Sequence, residues 1–339
     1  MFSAKTFIRL LSLCLIPVLM LGGCGGGTTE SPPDEPTEAT LPKNIMQKSD
    51  PEEDNTLNIL LIGNSSCVYW PDELYGMLTA AGYTDVNVCD VYYSGCSLQK
   101  HWTWWKNGER NYRFDIHNKD GKKQVPDYGL NDCLQSYNWD VISLQGNMGL
   151  FGKNDITGAL ANVEPYLDEL VPYIRDQFPL SRMMWHQTWA TEIGYNLAFE
   201  MKTVEQRTQM HQVQQGVAAA VSEKYDLTIV PTGDALEKIR DLPLFTSPIE
   251  GIPAAKVTPF LRVQSNKLVD DGVHDGDMGG GQYLNACVWF EVITGRSCVG
   301  NTFRPQYTYA GLDCSLSEEK ISVLQNAAHE AVENRKASN

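Results

Sequence analysis

No stretch of this sequence stays apolar for the roughly 20 residues that a bilayer-crossing helix needs. The longest attempt, residues 10–21, is broken by Ser12 and Pro17, so no transmembrane helix is expected. Positive charge is scarce as well. Lys and Arg total 27 against 42 Asp and Glu in 339 residues, a formal net charge of −15. Phosphate backbones are bound through clustered Lys and Arg, so no nucleic-acid partner is expected, nor attachment to anionic lipid through the folded surface. No Cys-x-x-Cys spacing occurs, which removes the usual zinc and thiol-redox motifs. Seven cysteines follow Cys24: Cys67, Cys89, Cys96, Cys133, Cys287, Cys298 and Cys314. An odd number cannot pair completely, and both disulfides and buried thiols stay open. There is no internal repeat. The run Gly279-Gly280-Gly281 lacks the Lys and Ser/Thr that a phosphate loop places after its glycines; it is expected to be a flexible joint before a helix.

What is present begins with Lys5 and Arg9, then the short apolar stretch, then Leu21-Gly22-Gly23-Cys24. A positive region, an apolar region and a small-residue boundary make a secretory signal. The boundary resembles the lipobox of bacterial lipoproteins, which implies cleavage before Cys24 and a diacylglycerol on its sulfur. Residues 1–23 are then a signal peptide and 24–56 a lipidated tether. The tether carries eight acids, two lysines and no aromatic residue after Cys24. Such a segment buries too little to offset its ordering entropy, and its charge keeps it extended. The expected location is the bacterial cell envelope, periplasmic or surface-exposed, with the lipid anchor as the only membrane contact.

The folded domain is expected over 57–339. Residues 57–62 read as a buried strand, 71–81 as a helix opened by Pro71 and closed by Gly82, and 86–93 as a second strand. Strand, helix, strand argues for a parallel sheet with crossover helices. Residues 98–138 break the rhythm. Tyr112, Phe114 and Ile116 alternate with polar residues before Asp120-Gly121, which predicts a β-hairpin inserted at one end of the sheet. Further strands are expected at 139–144, 182–186 and 227–230, and helices at 162–177, 204–224, 281–294 and 317–335. Residues 243–268 read as irregular.

Two constellations carry chemistry. Gly63-Asn64-Ser65 follows the first strand, at the carboxyl end where open parallel sheets bind ligands. Asp271-Gly272-Val273-His274 lies before the helix at 281–294. A nucleophilic serine needs a base, and the base an orienting group; an Asp and a His three apart on one loop can supply both.

These segments resemble the SGNH (GDSL-like) hydrolases, over roughly 57–295. They look closest to a branch with Gly-Asn-Ser at the first block. The resemblance implies an α/β, three-layer αβα flavodoxin-like fold with a central parallel sheet. It implies Ser65 as nucleophile, His274 as base and Asp271 as its orienter. The oxyanion contacts would come from the amides of Ser65 and Gly95, with Gln145 or Asn147 as side-chain donor. Asn64 replaces the family's usual aspartate, and Leu144-Gln145-Gly146-Asn147 stands where Gly-x-Asn-Asp is usual. No metal or cofactor is called for. The expected function is a cell-envelope serine esterase that removes acetyl or other acyl groups from carbohydrate, with an ester-bearing small molecule or glycan as partner. The alternative is a non-catalytic glycan-binding lipoprotein on the same fold.

Residues that could touch substrate are Asn64, Tyr69, Trp70, Trp102, His186 and Gln187. Trp102, Trp104 and Trp105 could stack on sugar or cap the core beneath the hairpin. His186 could line the pocket or be a satisfied core histidine. The acids Asp270, Asp271, Asp275 and Asp277 do not fit a calcium-binding loop.

Overall fold

The computed structural model describes residues 55–146, 155–195, 202–248, 250–251 and 257–337. Cys24, residues 25–54 of the expected tether and Asn147 lie outside the described residues, whereas Thr56, the last residue assigned to the tether, opens the first strand. Among the described residues no helix is long and apolar enough to cross a membrane.

The short apolar runs become strands: β1 (Thr56–Ile62), β2 (Asp85–Tyr92), β5 (Val141–Gln145), β6 (Arg182–His186) and β7 (Thr228–Val230). They pair in parallel in the order β2-β1-β5-β6-β7. The centre, β1 and β5, is buried on both faces over Leu60–Ile62 and Val141–Gln145, as parallel sheets require. The expected hairpin is present. β3 (Tyr112–Asn118) and β4 (Gly121–Tyr128) continue the sheet antiparallel beyond β2, giving seven strands. β4 is the mostly exposed edge, and Lys122, Lys123 and Pro126 along it discourage pairing with another chain.

The hairpin segment holds more than the alternation of its apolar residues suggested. Helix α2 (Leu98–Asn107) precedes it, opened by the Ser97 side chain and closed by Gly108 in the left-handed conformation. Helix α3 (Leu130–Leu134) follows it. The periodicity was hidden because α2 buries only Leu98 and His101 fully.

On one face of the sheet lie α1 (Pro71–Ala80), α7 (Thr232–Ile239), α9 (Gly281–Thr294) and α10 (Glu318–Ala337), packed on one another. Helices α2, α4 (Ile156–Leu160), α5 (Glu164–Gln177) and α6 (Val204–Tyr225) group separately, with α4 and α5 against α6 and α2 against α5. This is the three-layer αβα arrangement. α9 is buried almost all round, and glycines in the left-handed conformation bound it at 280 and 295. α7, α3 and the short α8 (Pro243–Thr246) were not foreseen. Nor was a second hairpin, β8 (Leu261–Gln264) with β9 (Lys267–Asp270), which occupies part of the stretch read as irregular. A two-residue ribbon, β10 (Thr308–Tyr309) with β11 (Leu312–Asp313), completes the strands.

The glycine run before α9 is not a flexible joint. A Cβ at Gly279 would stand 2.2 Å from the Thr258 carbonyl oxygen, and one at Gly276 would stand 2.3 Å from the Phe260 carbonyl carbon. The run is a close backbone crossing that seats the 271–274 loop against residues 258–261.

Candidate active site

β1 delivers the chain into Gly63-Asn64 and then a single 3₁₀ turn, Ser65–Cys67. Asn64 is extended and buried, and both ends of its side chain are bonded. Its Oδ1 accepts from the Ser66 amide at 3.0 Å and from Gln145 Nε2 at 2.8 Å. Its Nδ2 donates to the Cys96 carbonyl at 3.0 Å. The last contact explains the departure from aspartate, because a carboxylate has no proton to give to that carbonyl. Asn64 thus joins three segments: the β1 turn, the turn after β2 that holds Gly95 (φ +62°), and the end of β5.

The chain of hydrogen bonds runs further. His186 Nδ1 lies 3.1 Å from Gln145 Oε1, and His186 Nε2 lies 2.8 Å from Thr232 Oγ1. Because the two backbone contacts fix which way Asn64 points, Gln145 must offer Oε1 to His186, so Nδ1 carries the proton. Burial holds the His186 imidazolium pKa down at about 3, so the ring is neutral and Nε2 accepts. The Thr232 hydroxyl is also 2.8 Å from the Gln187 carbonyl, to which it can donate beside the Gly233 amide. His186, Gln145, Asn64 and Cys96 therefore form one directed, neutral, buried relay, with Thr232 at its start. A second support comes from α2. Tyr112 hydroxyl lies 2.8 Å from His101 Nδ1, and His101 Nε2 lies 3.0 Å from the Gly63 carbonyl. Burial, only partly opposed by the Gly63 contact, lowers His101 to about 4. Gly63 must be glycine, since a Cβ would stand 2.5 Å from Gln145 Cδ.

The second half of the site hangs on the β8–β9 hairpin. Asp271 follows β9, and the His274 amide closes a turn onto its carbonyl at 3.1 Å. His274 Nδ1 donates to Asp271 Oδ2 at 2.7 Å, which leaves Nε2 as the accepting nitrogen. Arg262, from β8, donates to the same oxygen at 2.6 Å. Burial favours the neutral carboxyl, but His274 and Arg262 outweigh it and hold Asp271 at about 2. The loop is pinned from behind by Trp189, whose Nε1 donates to the Val273 carbonyl at 3.1 Å, and by the Glu192 amide on the Gly272 carbonyl at 2.8 Å. His274 and Asp271 keep 19% and 13% of their side chains exposed, enough for a small ligand to reach the pair.

The two halves meet at Tyr69. Its ring stands edge-on to His274 at 5.1 Å between centroids, and the Arg262 guanidinium lies over it at 4.3 Å. Among the described residues no hydrogen bond joins the Ser65 hydroxyl to His274. Such contacts often close only around a substrate.

Other expected contacts lie elsewhere. Trp70 is wholly buried, stacked on Trp289 at 5.0 Å, with its Nε1 on the Ser66 carbonyl at 3.0 Å. It supports the turn from beneath and cannot touch substrate. His186 and Gln187 are each 1% exposed. His186 is the core histidine of the relay, and Gln187 is bound to Asp234 at 2.6 Å and Arg335 at 3.0 Å. Gln145 is buried too, one amide hydrogen given to Asn64. Trp102, Trp104 and Trp105 face Tyr166, Tyr112 and Tyr173 and are partly buried against the core. All seven cysteines are buried free thiols, and burial raises those of Cys67, Cys89 and Cys133, which makes them poor nucleophiles.

The residues that sequence reasoning missed are Arg262, Trp189 and His101. Arg262 sat in a stretch without periodicity. His101 did leave a trace, four residues after the Ser97 cap on one helical face.

The sheet order and its flanking helices define an αβα protein, with a Ser turn at the end of its first strand and an Asp–His loop that meets it at Tyr69. The chain belongs to the family described as a domain of unknown function (DUF4886), whose pattern matches residues 58–331. A crystal structure of a DUF4886 family protein from Bacteroides uniformis is similar at 25% identity and a TM-score of 0.62, over 82% of this chain and 95% of that one. A lipase/acylhydrolase from Enterococcus faecalis is similar at 14% identity and a TM-score of 0.43, over 71% and 97%. A catalytic mutant of an acetylxylan esterase from Geobacillus stearothermophilus is similar at 13% and 0.40, over 70% and 94%. No curated protein matches the chain.

Proposed function

We propose that this protein is a serine esterase of the cell envelope that removes acyl groups from carbohydrate. The observation that carries the reading is the 2.7 Å hydrogen bond from His274 Nδ1 to an ionised Asp271, on a loop that meets the Ser65 turn at Tyr69. In this reaction His274 Nε2 takes the Ser65 proton as Oγ attacks the ester carbonyl, and returns it to the leaving alcohol. The Ser65 and Gly95 amides, with Gln145 or Asn147, hold the oxyanion. Water then attacks the acyl-serine with His274 again as base. Arg262 and Tyr69 keep the pair oriented. Asn64 fixes the turn.

Carbohydrate is preferred as the leaving alcohol because Tyr69 offers a partly exposed ring beside the base and because the lipobox-like segment puts the chain at the envelope. The test is hydrolysis of a chromogenic acetyl ester and of acetylated xylo- and gluco-oligosaccharides by the full chain and by Ser65→Ala. Turnover in the parent alone supports the esterase. Lipid esters cleaved while acetylated sugars are ignored would remove the carbohydrate part. Binding of deacylated glycan with no turnover would favour a glycan-binding protein, for which the burial of Asn64 and Gln145 speaks. The anchor is tested separately: Cys24→Ala moves the protein from the membrane to the soluble fraction, and unchanged fractionation refutes lipidation.

A further inference from the structure

We propose that Asp90, Asp115 and His117 bind a divalent transition ion, Zn²⁺ in the first instance, that clamps the inserted hairpin to the parallel sheet. Asp90 on β2 and Asp115 on β3 are direct cross-strand partners, and His117 is two residues further along β3 on the same face. All three are buried, at 0%, 0% and 1% exposure. One ligand atom from each lies within 4.8 Å of the others.

The partners of these groups leave a gap that an ion fits. Neither carboxylate oxygen of Asp90 has a hydrogen-bond partner, and neither does His117 Nε2. Buried charges are otherwise paired or metal-bound, and like charges directly opposite in a sheet repel. Asp115 is served on its outer side by Arg113 at 2.6 and 2.7 Å and by Gln124 at 2.9 Å, with Lys122 at 3.8 Å. Three hydrogen bonds leave about one of a carboxylate's four lone-pair sites open. His117 Nδ1 is held by Asp72 of α1 at 2.5 Å. A carboxylate on the far nitrogen is the usual orienting partner of a metal-bound histidine.

Distance separates this from a simple ion pair. A protonated His117 bridging Asp72 and Asp90 would bring Nε2 within hydrogen-bond reach of Asp90, but the separation is 3.7 Å. Two ligands of one tetrahedral zinc, each at about 2.0–2.1 Å, stand ~3.3 Å apart. One imidazole with two carboxylates is a mixed nitrogen and oxygen set that suits Zn²⁺ or Mn²⁺ better than Ca²⁺ or Mg²⁺. All three ligands are buried between two paired strands, so its role is structural. It joins β2, β3 and, through Asp72, α1.

The test uses the full chain, stripped with chelator and titrated with ZnCl₂ or MnCl₂ by calorimetry, with bound metal counted by mass spectrometry. One ion per chain is expected, with a higher melting temperature at saturation. Asp90→Asn keeps the shape and should weaken binding about 100-fold or more, and Asp72→Asn about 10- to 100-fold. His329→Ala, in the partly exposed cluster with Glu291 and Glu333, should leave binding unchanged. If Asp90→Asn fails to fold by circular dichroism, Asp72→Asn decides, since Asp72 is exposed. Parent-like affinity in the deciding variant overturns the proposal. So does a parent that binds neither ion, or binding lost only in His329→Ala.

Discussion

Asn64 meets two backbone groups and one amide, all neutral and buried, whereas Asp271 meets His274 and Arg262 through its charge and keeps part of its surface open. The Ser65 turn is held from below by rings and amides that stay neutral above about pH 4. The acid–base loop is held by ions. The difference matches the tasks proposed for each half: a turn that must present one oxygen without moving, and an imidazole that must change charge during turnover beside a fixed carboxylate.

The comparison can be broken at several points. The largest effect is expected at the chemistry itself. Ser65→Ala should lower kcat at least about 10³-fold with the melting temperature unchanged, and Asp271→Asn about 10⁴-fold through the wrong histidine tautomer. Steady-state kinetics on an acetyl ester checks both. Loss of folding in either would mean these residues support structure instead.

Next comes the neutral relay. Asn64→Asp installs the residue usual in the resembling family, yet it cannot donate to the Cys96 carbonyl and would bury a charge. It should destabilise by about 3 kcal/mol in urea unfolding. A stable variant would show that the relay is not what holds the turn.

Acid separates the two halves by pH window. His101 and His186 have folded pKa values of about 4 and 3, below the unfolded value of about 6.5. The unfolded chain therefore binds more protons in that interval, and stability rises with pH there. Their contribution is complete above about pH 6.5 and is lost as pH falls, roughly 3 kcal/mol apiece by pH 4. Asp271, depressed to about 2, contributes above about pH 4 and loses that only between about 4 and 2. Acidification should therefore loosen the nucleophile side first. His186→Gln should flatten the urea midpoint between pH 6.5 and 4, and an unchanged slope would place the acid sensitivity elsewhere.

The smallest effect is expected at Trp102. It packs on Tyr166 and is only partly buried, so Trp102→Phe should change ester kinetics less than about 3-fold, whereas a sugar platform would raise KM more strongly.

The fold was largely legible in the sequence, and the reason is physical. The centre of a strand such as β1, Ile59 to Ile62, is buried on both faces and reads as an apolar run, and Asp120-Gly121 marks its hairpin. What escaped was built from contacts that leave no local pattern. β8 and β9 are four residues each, with Leu261 facing Asp270 across a turn, too short for alternation to register. Arg262 reveals its part only when the fold brings it to Asp271. The Asp271–His274 spacing was readable because one turn contains it. The trio of Asp90, Asp115 and His117 was not, because its members come from two strands joined only by register. Trp70 and His186 looked available because sequence shows proximity to the turn, not the side of it on which a ring is buried.

The central claim is that Ser65 is an activated nucleophile, and a fluorophosphonate probe tests it most directly. The full chain should be treated with the probe at neutral pH and digested, and the modified peptide identified by mass spectrometry. The account predicts one phosphonyl adduct, on Ser65, absent in Ser65→Ala and much slower in Asp271→Asn. An adduct on another residue, or none while control serine esterases are fully labelled, would contradict it.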